Sequence, residues 1–165
     1  MRFVVVTGMS GGGKSNALKM LEDFGFYCVD NLPASLIEKF VELISVPNGE
    51  VTKVALGLDV RADQSFQKTT EILKDLKKKG YQFEILFMEA SEAVLIKRYK
   101  ETRSVHPLAN DGRVEDGVRR EREVLGNIRG MADYVIDTSQ LLTRELKAEL
   151  ERIFVEQGNF QSLMI

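Results

Sequence analysis

One cysteine, one histidine and three prolines occur in 165 residues, and the net charge is only −2. Each scarcity excludes something. The single thiol, Cys28, cannot close an internal disulfide, and its place in an apolar run reads as a small buried side chain. His106 stands beside Pro107 with no second histidine or neighbouring cysteine to complete a metal site, so it reads as a loop residue and not as a catalytic base. No apolar run approaches the roughly 20 residues that cross a bilayer, and the stretch 3–6 is too short for a signal-peptide core. The expectation is a cytoplasmic protein without a membrane partner. A slightly negative chain also lacks the surplus of Lys and Arg that drives general polyanion binding. A nucleic-acid role would therefore need a local basic patch or a further domain.

What is present is the apolar and charged content of one ordinary globular domain, here 1–165. Short apolar runs alternate with helical periodicities. The runs 3–7, 26–29, 54–58, 83–88 and 134–136 read as five buried strands. Between them, Ala17, Leu18 and Leu21 give a helix closed by Gly25, and Leu36, Ile37, Phe40, Val41 and Ile44 give a second with one apolar face. Phe66, Ile72, Leu73 and Leu76 predict a third that stops before Gly80, and Ser91 caps a fourth. Residues 102–112 read as a loop or lid, 114–128 as one polar, exposed helix, and 141–154 as a terminal amphipathic helix. Strands alternating with helices imply an α/β domain built on a five-stranded parallel sheet.

The pattern G-x-x-x-x-G-K-[ST] is met by Gly8, Gly13, Lys14 and Ser15, with Met9, Ser10, Gly11 and Gly12 between them, at a strand-to-helix junction. Glycines let successive N–H groups turn inward on phosphate oxygens, and the helix that follows adds the positive end of its dipole. Lys14 then reaches the β- and γ-phosphates of ATP or GTP, and the Ser15 hydroxyl is a ligand for Mg²⁺. Such a site needs a strand-end carboxylate to organise the metal. Asp59, Asp30 and Glu89 each end a predicted strand, and Asp59 has the strongest local signal because Arg61 follows it. Arg98, Arg103, Arg119, Arg120 and Arg122 lie on or beside the lid. Arg103, in the loop itself, is best placed to meet charge developing on a transferred phosphoryl group.

These residues resemble the RapZ/YvcJ family of bacterial nucleotide-binding proteins over nearly the whole length. The resemblance rests on Gly8 to Gly11 with Lys14 to Leu18, on Leu21 to Pro33, on Asp59-Val60-Arg61, on Arg98-Tyr99 and Glu101 to Arg103, on His106-Pro107-Leu108, and on Ala132-Asp133 with Ile136 to Ser139. The segment Tyr27 to Pro33 is the most diagnostic, because other P-loop kinases do not usually carry it. The resemblance implies a kinase-like P-loop fold, slow ATPase and GTPase activity, and a second nucleotide-contacting segment at Asp59, Val60, Arg61 and Ala62. It also implies an adaptor that presents a small regulatory RNA to a ribonuclease, largely through a C-terminal domain expected to lie outside this chain. Two residues depart from the family pattern: Gly12, where alanine or serine is common, and Ser104, where a second arginine is usual. The first is expected to matter little, and the second weakens the lid's grip on phosphate or RNA.

Two other functions share these features: a small-molecule kinase, and a nucleotide-gated module without turnover. Asp137, Thr138 and Ser139 are placed to touch a base but do not choose between adenine and guanine. The oligomeric state is open, a homo-oligomer included.

Overall fold

Alternation along the first strand sets the architecture. In β1 (Arg2–Gly8) the side chains of Val4 and Val6 enter one apolar layer, while Phe3 and Val5 enter another on the opposite face. A strand buried on both faces belongs in the middle of a parallel sheet, and β1 lies there. The computed structural model describes residues 2–9, 11–30, 32–44, 53–58, 65–102 and 114–156. With β2 (Tyr27–Asp30), β3 (Lys53–Gly57), β4 (Glu84–Glu89) and β5 (Tyr134–Asp137), the strand order is β2-β3-β1-β4-β5, all pairs parallel. The register sets Val6 opposite both Gly57 and Leu86, so the carboxyl ends of the three central strands share one edge.

Helices cover both faces. On one, α1 (Lys14–Asp23) and α7 (Thr143–Glu151) pack Ala17, Leu18, Leu21, Leu146 and Leu150 against Val4, Val6, Ala55, Leu86 and Ile136. On the other lie α2 (Ala34–Ile44), α3 (Ser65–Lys78), α4 (Glu92–Thr102), α5 (Val114–Val124) and α6 (Gly126–Met131). They contribute Ile37, Val41, Leu73, Leu76, Leu95, Val118 and Ile128 to the second layer. As the sequence predicts, the Ser91 hydroxyl caps α4, accepting the Val94 N–H at 3.3 Å. After α7 the chain continues in a π-helical turn, Arg152–Glu156. Arg2 anchors that turn: its guanidinium donates to the carbonyls of Ile153 and Phe154, lies over the Phe154 ring, and forks onto Glu84.

One segment differs from expectation. The single exposed helix predicted over 114–128 is two helices meeting at Leu125, and Val118, Glu121, Leu125 and Ile128 are buried. Their spacing of three and four is a helical stripe hidden among Arg and Glu, and Gly126 interrupts the run. Cys28, expected to be buried, is half-buried on the edge strand β2; its thiol donates to the Leu18 carbonyl, and burial, then Glu22, pushes its pKa up to about 11. Among the described residues no helix is long and apolar enough to cross a membrane.

Candidate functional site

The chain leaves β1 by wrapping around one carbonyl of its neighbour. Met9 N–H donates to Met88 O at 2.9 Å, and Gly12 N–H returns to Met9 O at 2.8 Å. Gly8 adopts φ 148°, and a Cβ there would stand 2.0 Å from Met88 O, so no other residue fits without moving the β4 backbone. Gly13, at φ 111°, makes the left-handed step into α1, and its carbonyl accepts the first intrahelical bond from Ala17 N–H. A Cβ at Gly12 would lie 2.8 Å from Met88 O and 2.9 Å from Met9 O, so in this chain an alanine there requires the backbone to shift. Gly12 is thus more constrained than the family pattern alone suggests.

The next two carbonyls are held from outside. Arg98, on α4, donates through Nη1 to Gly11 O at 2.6 Å and to Thr138 Oγ1 at 3.1 Å, and through Nη2 to Thr138 O at 3.0 Å. The Thr138 hydroxyl, buried after β5, donates to Gly12 O at 2.7 Å and lies 3.2 Å from Glu89 O. Thr138 N–H donates to Glu89 O at 2.8 Å, which ties this loop to β4. In a trans peptide the N–H points opposite to the carbonyl. Pinning Gly12 O toward Thr138 therefore turns Gly13 N–H the other way, and the first N–H groups of α1, which follows, lack intrahelical acceptors. Lys14 and Ser15 open that helix, whose dipole adds partial positive charge. N–H groups at such a helix start are donors suited to an anion of several oxygens.

Of the three strand-end carboxylates, the structure brings Asp30 to the loop: Lys14 Nζ donates to Asp30 Oδ1 at 2.9 Å. Glu89 turns elsewhere, paired with Arg129 at 2.8 and 3.3 Å. Asp59 lies outside the described residues, as do Ser10, Val60, Arg61, Ala62, Arg103 and His106. Arg119 pairs with Glu92 at 3.0 Å, and Arg122 donates to Ala90 O at 3.1 Å, so these guanidiniums hold α5 against the start of α4. Asp137 sits below the usual carboxylate range because the Ser139 hydroxyl and N–H donate to it, with Arg122 and Arg98 adding smaller attraction. Ser139 Oγ in turn accepts Ser91 N–H at 2.7 Å, so the loop after β5 is cross-linked to the start of α4.

For a metal, the described residues offer the hydroxyl of the exposed Ser15 and the Asp30 carboxylate, hard oxygens of the kind Mg²⁺ takes in ones and twos beside phosphate oxygens. No group of three His, Cys, Asp or Glu able to hold an ion occurs among the described residues. The sequence placed Arg98 with the lid and Thr138 near a base. Neither reading anticipated that both side chains grip the carbonyls of the glycine loop.

Thr138→Val keeps the side chain's shape and removes the donor to Gly12 O. Leaving that buried acceptor unsatisfied should cost about 1–3 kcal/mol in urea unfolding. Amide exchange at Gly13 and Lys14 should quicken with it. Unchanged stability together with unchanged exchange would contradict the clamp.

Residues 1–158 match the family model described as the RapZ-like N-terminal domain. A "Nucleotide-binding protein" of Lachnoclostridium phytofermentans is 53% identical over all 165 residues, which cover 58% of that relative. One of the same description from Agathobacter rectalis is 51% identical over the whole chain and 57% of its own length. The chain thus spans a little over half the length of the curated relatives it matches. A solved shikimate kinase from Acinetobacter baumannii, in complex with shikimate, superposes with a TM-score of 0.61 at 16% identity, covering 95% of this chain and 94% of that one. At that identity the likeness concerns the fold alone, a P-loop kinase-like sheet with its glycine loop after β1. With the family model matched over nearly its full length, the chain belongs to the RapZ-like N-terminal domain family.

Proposed function

We propose that this single domain binds the triphosphate of ATP or GTP, with Mg²⁺, on residues 8–15, hydrolyses it slowly, and serves as the nucleotide-responsive unit of a longer regulatory protein. The observation that carries this reading is the pinned loop: Arg98 and Thr138 hold the Gly11 and Gly12 carbonyls, just ahead of the backbone donors and Lys14 at the head of α1. The names of the relatives, "Nucleotide-binding protein", support it.

In this reading Lys14 contacts the β- and γ-phosphates, the segment Asp59, Val60, Arg61 and Ala62 makes a second nucleotide contact, and Arg103 meets charge developing at the γ-phosphate. Ser15 and Asp59 would hold Mg²⁺. The bound ion supplies neutralisation of phosphate charge. A switch follows from the different contacts made with triphosphate and diphosphate. In this reading RNA and ribonuclease contacts, in the cytoplasm, belong to the portion of the longer relatives that this chain does not span.

Lys14→Ala should weaken binding of Mg·ATP or Mg·GTP by about 1.5–3 kcal/mol in calorimetry, the range of a charge-assisted phosphate contact, and nearly abolish turnover. Asp59→Asn should lower hydrolysis far more than metal-free affinity. Wild-type affinity in the Lys14 variant would contradict the assignment.

The kinase alternative is separated by the fate of the γ-phosphate. Positioning an acceptor in line contributes roughly 7–11 kcal/mol to lowering a barrier, so a true acceptor would raise turnover steeply. With labelled ATP or GTP and a panel of sugars, sugar phosphates, nucleosides and small acids, label should appear slowly and only in inorganic phosphate. Rapid transfer to one compound would replace the regulatory reading with a kinase.

A further inference from the structure

Lys14 has a partner of its own within the chain. Asp30 is the last residue of β2 and pairs in register with Gly57 of β3, which pairs in turn with Val6 of β1. From that edge its carboxylate crosses Gly57 to reach Lys14 Nζ at 2.9 Å. The crossing needs a residue without a side chain beneath it: a Cβ at Gly57 would lie 2.5 Å from Asp30 Oδ1 and 3.1 Å from Asp30 Cγ. Its other close neighbour, Leu18 Cδ1 at 2.8 Å, is the end of a flexible side chain. Gly57 is therefore the clearance that admits the carboxylate.

The two partners are held unequally. The Lys14 side chain is 12% exposed and the Asp30 side chain 41%. The lysine is confined beside the loop, whereas the carboxylate borders solvent. An incoming phosphate needs the same ammonium, and with Asp30 in place it would meet a like charge within a few ångströms of its own oxygens. Phosphate and carboxylate cannot both occupy that side of Lys14 without repulsion.

We propose that Asp30 is a built-in competitor for Lys14 that an anionic ligand must displace. The inference rests on the reading that the loop binds nucleotide phosphates. A single phosphate gains few contacts against this competitor, while a di- or triphosphate adds the backbone donors of Gly13 and α1. Displacing Asp30 costs every ligand that takes Lys14 the same, so a ligand with more contacts stays bound against it where a single phosphate is held weakly. This role of Asp30 is distinct from organising a metal, since the competition needs none.

The test is calorimetry with ADP and with GDP in excess chelator at low ionic strength, on the wild type, Asp30→Asn, Gly57→Ala, Lys14→Ala and the Asp30→Asn/Lys14→Ala double variant, each first shown to be folded by circular dichroism. Asp30→Asn should bind the preferred diphosphate about fivefold more tightly, the upper end of what a part-exposed ion pair contributes, and the gain should shrink as salt is raised. Gly57→Ala, which displaces the carboxylate, should shift affinity in the same direction. The double variant should gain clearly less over Lys14→Ala than Asp30→Asn gains over the wild type, because competition for Lys14 is gone and only the direct repulsion between carboxylate and phosphate is relieved. Equal or weaker binding by Asp30→Asn, or an undiminished gain without Lys14, would overturn the proposal while leaving nucleotide binding intact. A wild type that binds neither diphosphate, nor either triphosphate with Mg²⁺, would instead remove the nucleotide reading and this inference with it.

Discussion

The carbonyl of Met88 is the point around which the site is built. Met9 donates to it, while Gly8 and Gly12 crowd it so closely that a Cβ on either would collide. A loop wrapped this tightly on a buried strand cannot drift, because its support is the β1–β4 pairing at the centre of the sheet. Everything the loop offers to an anion depends on that contact. The glycines make the wrapping possible, and the fully buried strands on either side make it rigid.

Electrostatics then divides between residues that shape the loop and residues that face outward. Arg98 is spent on Gly11 O and Thr138, Arg129 on Glu89, and Arg119 and Arg122 on the start of α4. These cations act as mechanical ties among β4, the loop after β5 and the helices behind them. In the proposed reading, Lys14 and the amides at the head of α1 are the donors that meet a ligand. Asp30 stands against Lys14, so in the proposed reading an anion there meets attraction by the loop and competition from within the chain.

Much of this was legible in the sequence. All five strands announce themselves as apolar runs, and the glycine-rich loop is read from Gly8, Gly13, Lys14 and Ser15 together with the strand and helix that flank it. The buried stripe of α5 and α6 was missed because Val118, Leu125 and Ile128 are diluted by Arg and Glu, which on composition alone suggest a solvated face. The clamp was missed for another reason. Arg98 lies 87 residues from Gly11, and Thr138 lies 126 from Gly12, so the strand order alone brings them together. Local pattern carries no such information. The choice of Asp59 over Asp30 rested on a neighbouring arginine, whereas the contact of Asp30 with Lys14 depends on the missing side chain at Gly57, three strands being needed to bring these residues into line.

The central claim is that the backbone amides after Gly12, with Lys14, form the phosphate site. An amide-resolved NMR titration of the ¹⁵N-labelled domain with Mg²⁺ and a non-hydrolysable ATP or GTP analogue tests it most directly. The account predicts the largest shifts at Gly13, Lys14 and Ser15, with smaller ones at Thr138 through the clamp. Shifts confined to the opposite end of the sheet, or to the surface between α3 and α5, with the loop amides unmoved, would contradict it.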